Sequence, residues 1–152
     1  MGIGNSAQAY GLDGCNMKSE LYDGILEVPK EIVLFYSNGG VPDKFPCIVG
    51  VFFKEISFTL QCIAVGYSED KSKIRCDFSR KKTHSFLQKN DDPSYYPFGC
   101  PLYLDVQHYR IYAGEKNTNS NSFIGLCIGS KMASLDGENA VEISFLLYNP
   151  YF

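Results

Sequence analysis

The chain has 152 residues and a net charge of −3, with 45% hydrophobic and 14% aromatic side chains. That is too apolar and too weakly charged for a disordered chain, and long enough to bury a core. No apolar run approaches the ~18 residues that a membrane-spanning helix needs. Eleven Tyr, 11 Phe and 14 Gly beside few Ala favour strands and turns over helices.

In chain order, residues 1–23 are Gly-rich and weakly patterned, and read as an N-terminal arm ahead of a single β domain spanning 24–152. Glu31–Tyr36 is the first strong strand candidate, stopped by Ser37-Asn38-Gly39-Gly40, where Asn and Gly tolerate positive φ. Cys47–Val65 is apolar enough for one long strand or two in succession. Its second half alternates, with Ile56, Phe58, Leu60, Cys62 and Ala64 on one face. A polar turn follows, and then Ile74, Cys76 and Phe78 alternate with Lys73, Arg75 and Asp77. A hairpin centred near Glu69 sets Cys62 opposite Cys76 on the apolar face.

Residues 79–92 are the one segment with room for a short helix or a structured loop. Tyr95-Tyr96-Pro97-Phe98-Gly99-Cys100 reads as a rigid aromatic corner. Leu102–Tyr112 resumes the strand pattern, with Leu102, Leu104 and Val106 on one face and Tyr103, Asp105, Gln107 and Tyr109 on the other. Residues 117–122 form a polar loop, and segments 123–128 and 141–148 complete the count. About seven or eight strands without an alternating helix pattern predict an all-β fold. Its form is an antiparallel β-sandwich, jelly-roll-like or a small barrel, with at most one short helix.

Six cysteines, Cys15, Cys47, Cys62, Cys76, Cys100 and Cys127, are spread singly with no Cys-x-x-Cys pair. This spacing argues against a zinc ribbon, a zinc finger or a thioredoxin-type motif and suits three long-range disulfides in an oxidising compartment. Reduced, buried thiols are the competing reading. No cofactor or metal motif is present, and neither group is expected. The N-terminus carries no apolar stretch of a signal peptide, so secretion implies a mature chain. Met1-Gly2-Ile3-Gly4-Asn5-Ser6 instead fits the N-myristoylation pattern, which makes Gly2 a lipidation candidate for a cytoplasmic, membrane-associated protein.

Charge is unevenly spread. Lys71, Lys73, Arg75, Arg80, Lys81, Lys82 and Lys89 are seven of the 14 basic residues, and Asp77 is the one acid among them. Segment 71–89 is thus a candidate contact surface for a protein partner, for anionic lipid or for RNA, set against a solvated strand edge guarded by Lys. Tyr103 and Tyr109 are the second candidate surface, set against an aromatic core without Trp.

Only two histidines exist, His84 and His108, the second close to Arg110. One histidine can take a proton while the other gives one, the chemistry of RNA cleavage. The stretch from Tyr95-Tyr96-Pro97-Phe98 to Tyr112-Ala113-Gly114 resembles fungal guanyl-specific ribonucleases, which implies such a reaction. The resemblance is confined to this stretch, and no His follows residue 108 where that family places its second one. The leading expectation is a non-catalytic binding protein, a secreted disulfide-stabilised ligand, toxin or effector. A lipid-anchored cytosolic protein and a ribonuclease-like enzyme using His84 and His108 are the alternatives.

Overall fold

The computed structural model describes residues 24–36, 45–55, 57–114 and 121–148. Gly2, Cys15, the turn at 37–40 and most of the loop at 117–122 lie outside them. The described chain is all-β and antiparallel, with ten strands in two five-stranded sheets and 3-10 turns in place of any α-helix. No helix among these residues is long and apolar enough to cross a membrane. The chain divides into two compact units, with the boundary between Lys81 and Lys82.

The first unit holds strands β1 (Ile25–Pro29), β2 (Val33–Phe35), β3 (Cys47–Phe53), β4 (Phe58–Tyr67) and β5 (Lys73–Asp77), in the order β1-β5-β4-β3-β2. The long apolar stretch from Cys47 breaks into β3 and β4 at a tight turn, where Ser57 sits at φ 50° and donates its N–H to the Lys54 carbonyl. Val49, Val51, Leu60, Cys62, Ala64, Ile74 and Cys76 are buried by the period-2 alternation, and Phe53 meets Phe78 at 6.1 Å. Gly50 is required on the opposite face of β3, because a Cβ there would stand 2.2 Å from the Tyr36 hydroxyl.

The second unit holds β6 (Thr83–Lys89), β7 (Pro101–Asp105), β8 (Arg110–Ala113), β9 (Asn121–Leu135) and β10 (Glu138–Leu147), in the order β6-β10-β9-β7-β8. Segment 79–92, expected to hold a helix or loop, instead supplies β6. Its residues alternate between buried His84 and Gln88 and exposed Thr83, Ser85 and Leu87, a strand period that its polarity conceals. The single strand expected over 102–112 is a hairpin of β7 and β8. It turns at Tyr109, which takes the left-handed φ of 54°. β9 and β10 are joined by Asp136-Gly137, both at positive φ (53° and 78°), as a two-residue type I′ turn demands.

This second sheet curls until its edge strands meet through side chains. The Gln88 amide on β6 serves β8 as a surrogate strand: its Oε1 accepts the Ile111 N–H (2.7 Å) and its Nε2 donates to the Ile111 carbonyl (3.0 Å). Arg110 donates to the Lys89 carbonyl (3.2 Å), and Phe86 packs edge-on against Tyr109 at 5.3 Å. Burial of Leu102, Leu104, Ile111, Ile124, Val141, Ile143 and Phe145 fills the interior.

The disulfide expectation is corrected. Cys47, Cys62, Cys76, Cys100 and Cys127 are free thiols. The β4–β5 hairpin turns between Asp70 and Lys71 rather than at Glu69, which together with a one-residue shift between Ala64 and Gly66 sets Ala64, not Cys62, opposite Cys76, while Cys62 lies opposite Val49. Cys62 and Cys76 are therefore diagonal neighbours. Such positions lie about 7–8 Å apart, beyond the roughly 4.4–6.8 Å Cα separation that a disulfide needs. With half-buried Cys47 on the far side of Ala64, the buried Cys62 and Cys76 pack as small core residues. Burial raises the Cys62 thiol well above its ordinary value and pushes Cys47 up to about 11.

Candidate functional site

The proposed contact surfaces are distributed as follows. Lys71, Lys73, Arg75, Arg80 and Lys81 belong to the first unit, and Lys82 and Lys89 to the second. Alternation on β5 keeps Lys73 and Arg75 exposed, and Lys71 stands at the β4–β5 turn with φ 63°. The local charge is lower than the sequence count suggests. Arg75 lies across from Glu27, and Lys89 bridges Asp136 (3.2 Å) and Glu138 (3.5 Å). Turn residue Asp70, beside Lys71, accepts from the Ser68 and Ser72 hydroxyls and the Ser72 N–H. These donors, led by Ser72, lower its carboxyl to about 2, so it stays ionised next to the basic run.

The two histidines have separate roles. His84 is only 6% exposed and lies against Phe145 with ring centroids 5.9 Å apart, because it falls on the inward face of β6. The His108 side chain is 63% exposed in the β7–β8 turn, where its Nδ1 meets the Asp105 carboxylate at 2.8 Å. Asp105 also accepts the backbone N–H groups of Gln107 and His108, and the His108 contact does most to hold its carboxyl below the ordinary range. These bonds shape the turn. Arg110 is committed to the Lys89 carbonyl and to Asp91 at 3.5 Å. Among the described residues, no group of His, Cys, Asp and Glu is arranged to hold a metal ion.

Tyr103 and Tyr109 part company as well. Tyr109 is half-buried at the seam against Phe86. Tyr103 lies opposite Tyr112 and packs on Phe123 (5.4 Å), which in turn meets Tyr148 (4.8 Å). With the cross-strand pair Leu126–Leu146, both exposed, these rings make the outward face of the second sheet markedly apolar.

The most distinctive group is the aromatic corner of residues 92–100. Asp92 caps it by accepting the Ser94 N–H (2.8 Å), and Pro93 opens the turn with its fixed φ. Tyr96 anchors it from below, burying a hydroxyl that donates to Asp91 and accepts from Gln88 (3.0 Å). Burial first, and then Asp91, raise this phenol above its ordinary value. The Ser130 hydroxyl lies within 3.0 Å of the Pro93 and Tyr96 carbonyls, and Gly99 donates to the Cys127 carbonyl (2.7 Å). On this tied backbone Phe98 is 81% exposed and Tyr95 66% exposed, the two largest exposures among the exposed large hydrophobic residues. The sequence marks the corner as rigid and aromatic. It does not say which rings point outward, because Tyr95 and Tyr96 are adjacent and identical. Only the buried partners Asp91, Gln88 and Ile111 select Tyr96 as the anchor.

No family model matches this chain, and neither a curated protein nor a solved structure is similar to it.

Proposed function

We propose that this protein is a non-catalytic recognition module that binds a protein partner through Tyr95 and Phe98, the exposed rings of the 92–100 corner. The observation that carries the reading is the coincidence of maximal ring exposure with a backbone tied on both sides. Solvent-exposed aromatic rings forgo burial in the free protein, and a partner that covers them recovers about 25 cal/mol for each Å² of apolar surface. Because the loop is already ordered, binding costs little conformational entropy, the condition under which aromatic anchors become interface hot spots. The apolar outward face of Leu126, Leu146 and Tyr148 on the same sheet offers further contact area.

The test is affinity capture from native-source extract, comparing wild type with Phe98→Ser, Tyr95→Ser and the control Ser134→Lys on the exposed end of β9. Proteins retained by wild type and Ser134→Lys, and lost from both corner variants, meet the expectation. For a partner identified in this way and purified, each corner variant should raise Kd at least tenfold. A retained set that is the same for all four proteins overturns the proposal.

A further inference from the structure

We infer that Cys100 and Cys127 are a thiol pair that forms an intrachain disulfide when a small-molecule disulfide or peroxide oxidant reaches Cys100. The two residues face each other across neighbouring chain segments. The register pairs Pro101 with Leu126, the Cys127 N–H donates to the Cys100 carbonyl (2.9 Å), and the adjacent Gly99 N–H donates to the Cys127 carbonyl (2.7 Å). Directly opposed residues fall about 4.5–5.5 Å apart at Cα, inside the disulfide range, unlike the diagonal Cys62–Cys76 pair. The Cys127 sulfur is near enough to help raise the Cys100 thiol. Cys127 in turn lies 3.4 Å from the Tyr96 carbonyl and 3.5 Å from that of Gly129, acceptors for its own thiol proton. Opposed positions project their side chains to the same side of a sheet, so the register makes the two thiols neighbours.

Access separates this pair from Cys62 and Cys76, and the equally half-buried Cys47 lies opposite Ala64 rather than a thiol. Cys100 is half-buried at the end of the corner, whereas Cys62 and Cys76 are fully buried. With glutathione disulfide as oxidant, the Cys100 thiolate attacks one of its sulfurs and expels a glutathione thiolate. The Cys127 sulfur then attacks the Cys100 sulfur of the mixed disulfide and expels the second. Two electrons pass to glutathione, the two cysteine protons end on the two glutathione thiols, and one S–S bond replaces another. Burial holds the Cys100 thiol up to about 11, so thiolate is scarce near neutrality. The reaction is therefore slow there, and its rate climbs roughly tenfold per pH unit between pH 7 and 10.

The experiment incubates the reduced full-length chain with glutathione disulfide at several pH values, quenches by alkylation, and maps tryptic peptides by mass. The expected product is one linkage joining Asn90–Arg110 to Asn117–Lys131, with the tenfold-per-unit rate profile and a melting temperature raised by about 5–10 °C. Cys100→Ser should abolish it, while Cys62→Ala should leave it intact. A stable glutathione adduct at Cys100, a Cys62–Cys76 linkage appearing first, or no linkage at pH 9 would each overturn the inference.

Discussion

Replacing Gln88 by Leu tests whether the second sheet is closed by one amide side chain. Leu keeps nearly the same volume, so the effect isolates hydrogen bonding. The change leaves the buried Ile111 N–H without its 2.7 Å acceptor. It also removes the donor to Asp91 (2.5 Å), a charge-assisted bond, and the donor to the Tyr96 hydroxyl. A buried, orphaned donor costs about 1–3 kcal/mol and a lost charge-assisted bond about 1.5–3, against about 1 kcal/mol regained from the added apolar surface. The net loss is about 3 kcal/mol, a large share of a typical domain's stability. In urea, with a slope near 2 kcal/mol/M, the midpoint should fall by about 1.5 M at unchanged slope. Tyrosine fluorescence can follow the transition, since the chain has no Trp. Gln88→Glu supplies a second arm. It retains the acceptor for Ile111 but sets a carboxylate against Asp91, so its deficit should exceed that of Gln88→Leu at pH 7 and shrink as the pH falls toward 4. A midpoint shift below about 0.5 M for Gln88→Leu refutes the closure, because the Ile111 backbone must then find other partners.

Three further outcomes are expected. Gly125→Ala places a Cβ 1.9 Å from the Leu146 carbonyl oxygen, at a residue with φ 153°. It should cost at least ~3 kcal/mol, read as a large drop in melting temperature, and unchanged melting would show that β9 and β10 can separate there. Asp105→Asn removes a carboxylate whose folded value is depressed, chiefly by His108. A depressed carboxyl stabilises above its unfolded value of about 3.9 and loses that contribution as the pH falls through the folded one. The stability gap between wild type and Asp105→Asn should therefore be full near pH 5 and close toward pH 2; a gap independent of pH contradicts the assignment. Lys81→Glu with Lys82→Glu should change the urea midpoint by less than the equivalent of about 0.5 kcal/mol, since both are exposed. A larger loss would give these lysines a structural role.

The sequence by itself determined the class of fold. Period-2 alternation over 58–64, 73–78, 102–105 and 141–148 specifies half-buried strands, and no segment carries a helical period. Strand β6 escaped because its inward residues, His84 and Gln88, are polar, so hydrophobicity cannot mark the period. They are tolerated inside because Phe145 and Ile111 await them from strands distant in sequence. The cysteine pairing depended on where the β4–β5 hairpin turns: its centre lies between Asp70 and Lys71 rather than at Glu69, a displacement that spacing cannot reveal but that turns opposed residues into diagonal ones. The aromatic corner was legible as an element, from Pro and Gly bracketing three rings. Which ring anchors and which face solvent was decided only in three dimensions, where one buried acceptor set, Asp91 with the Gln88 amide, claims the Tyr96 hydroxyl and leaves Tyr95 and Phe98 outside.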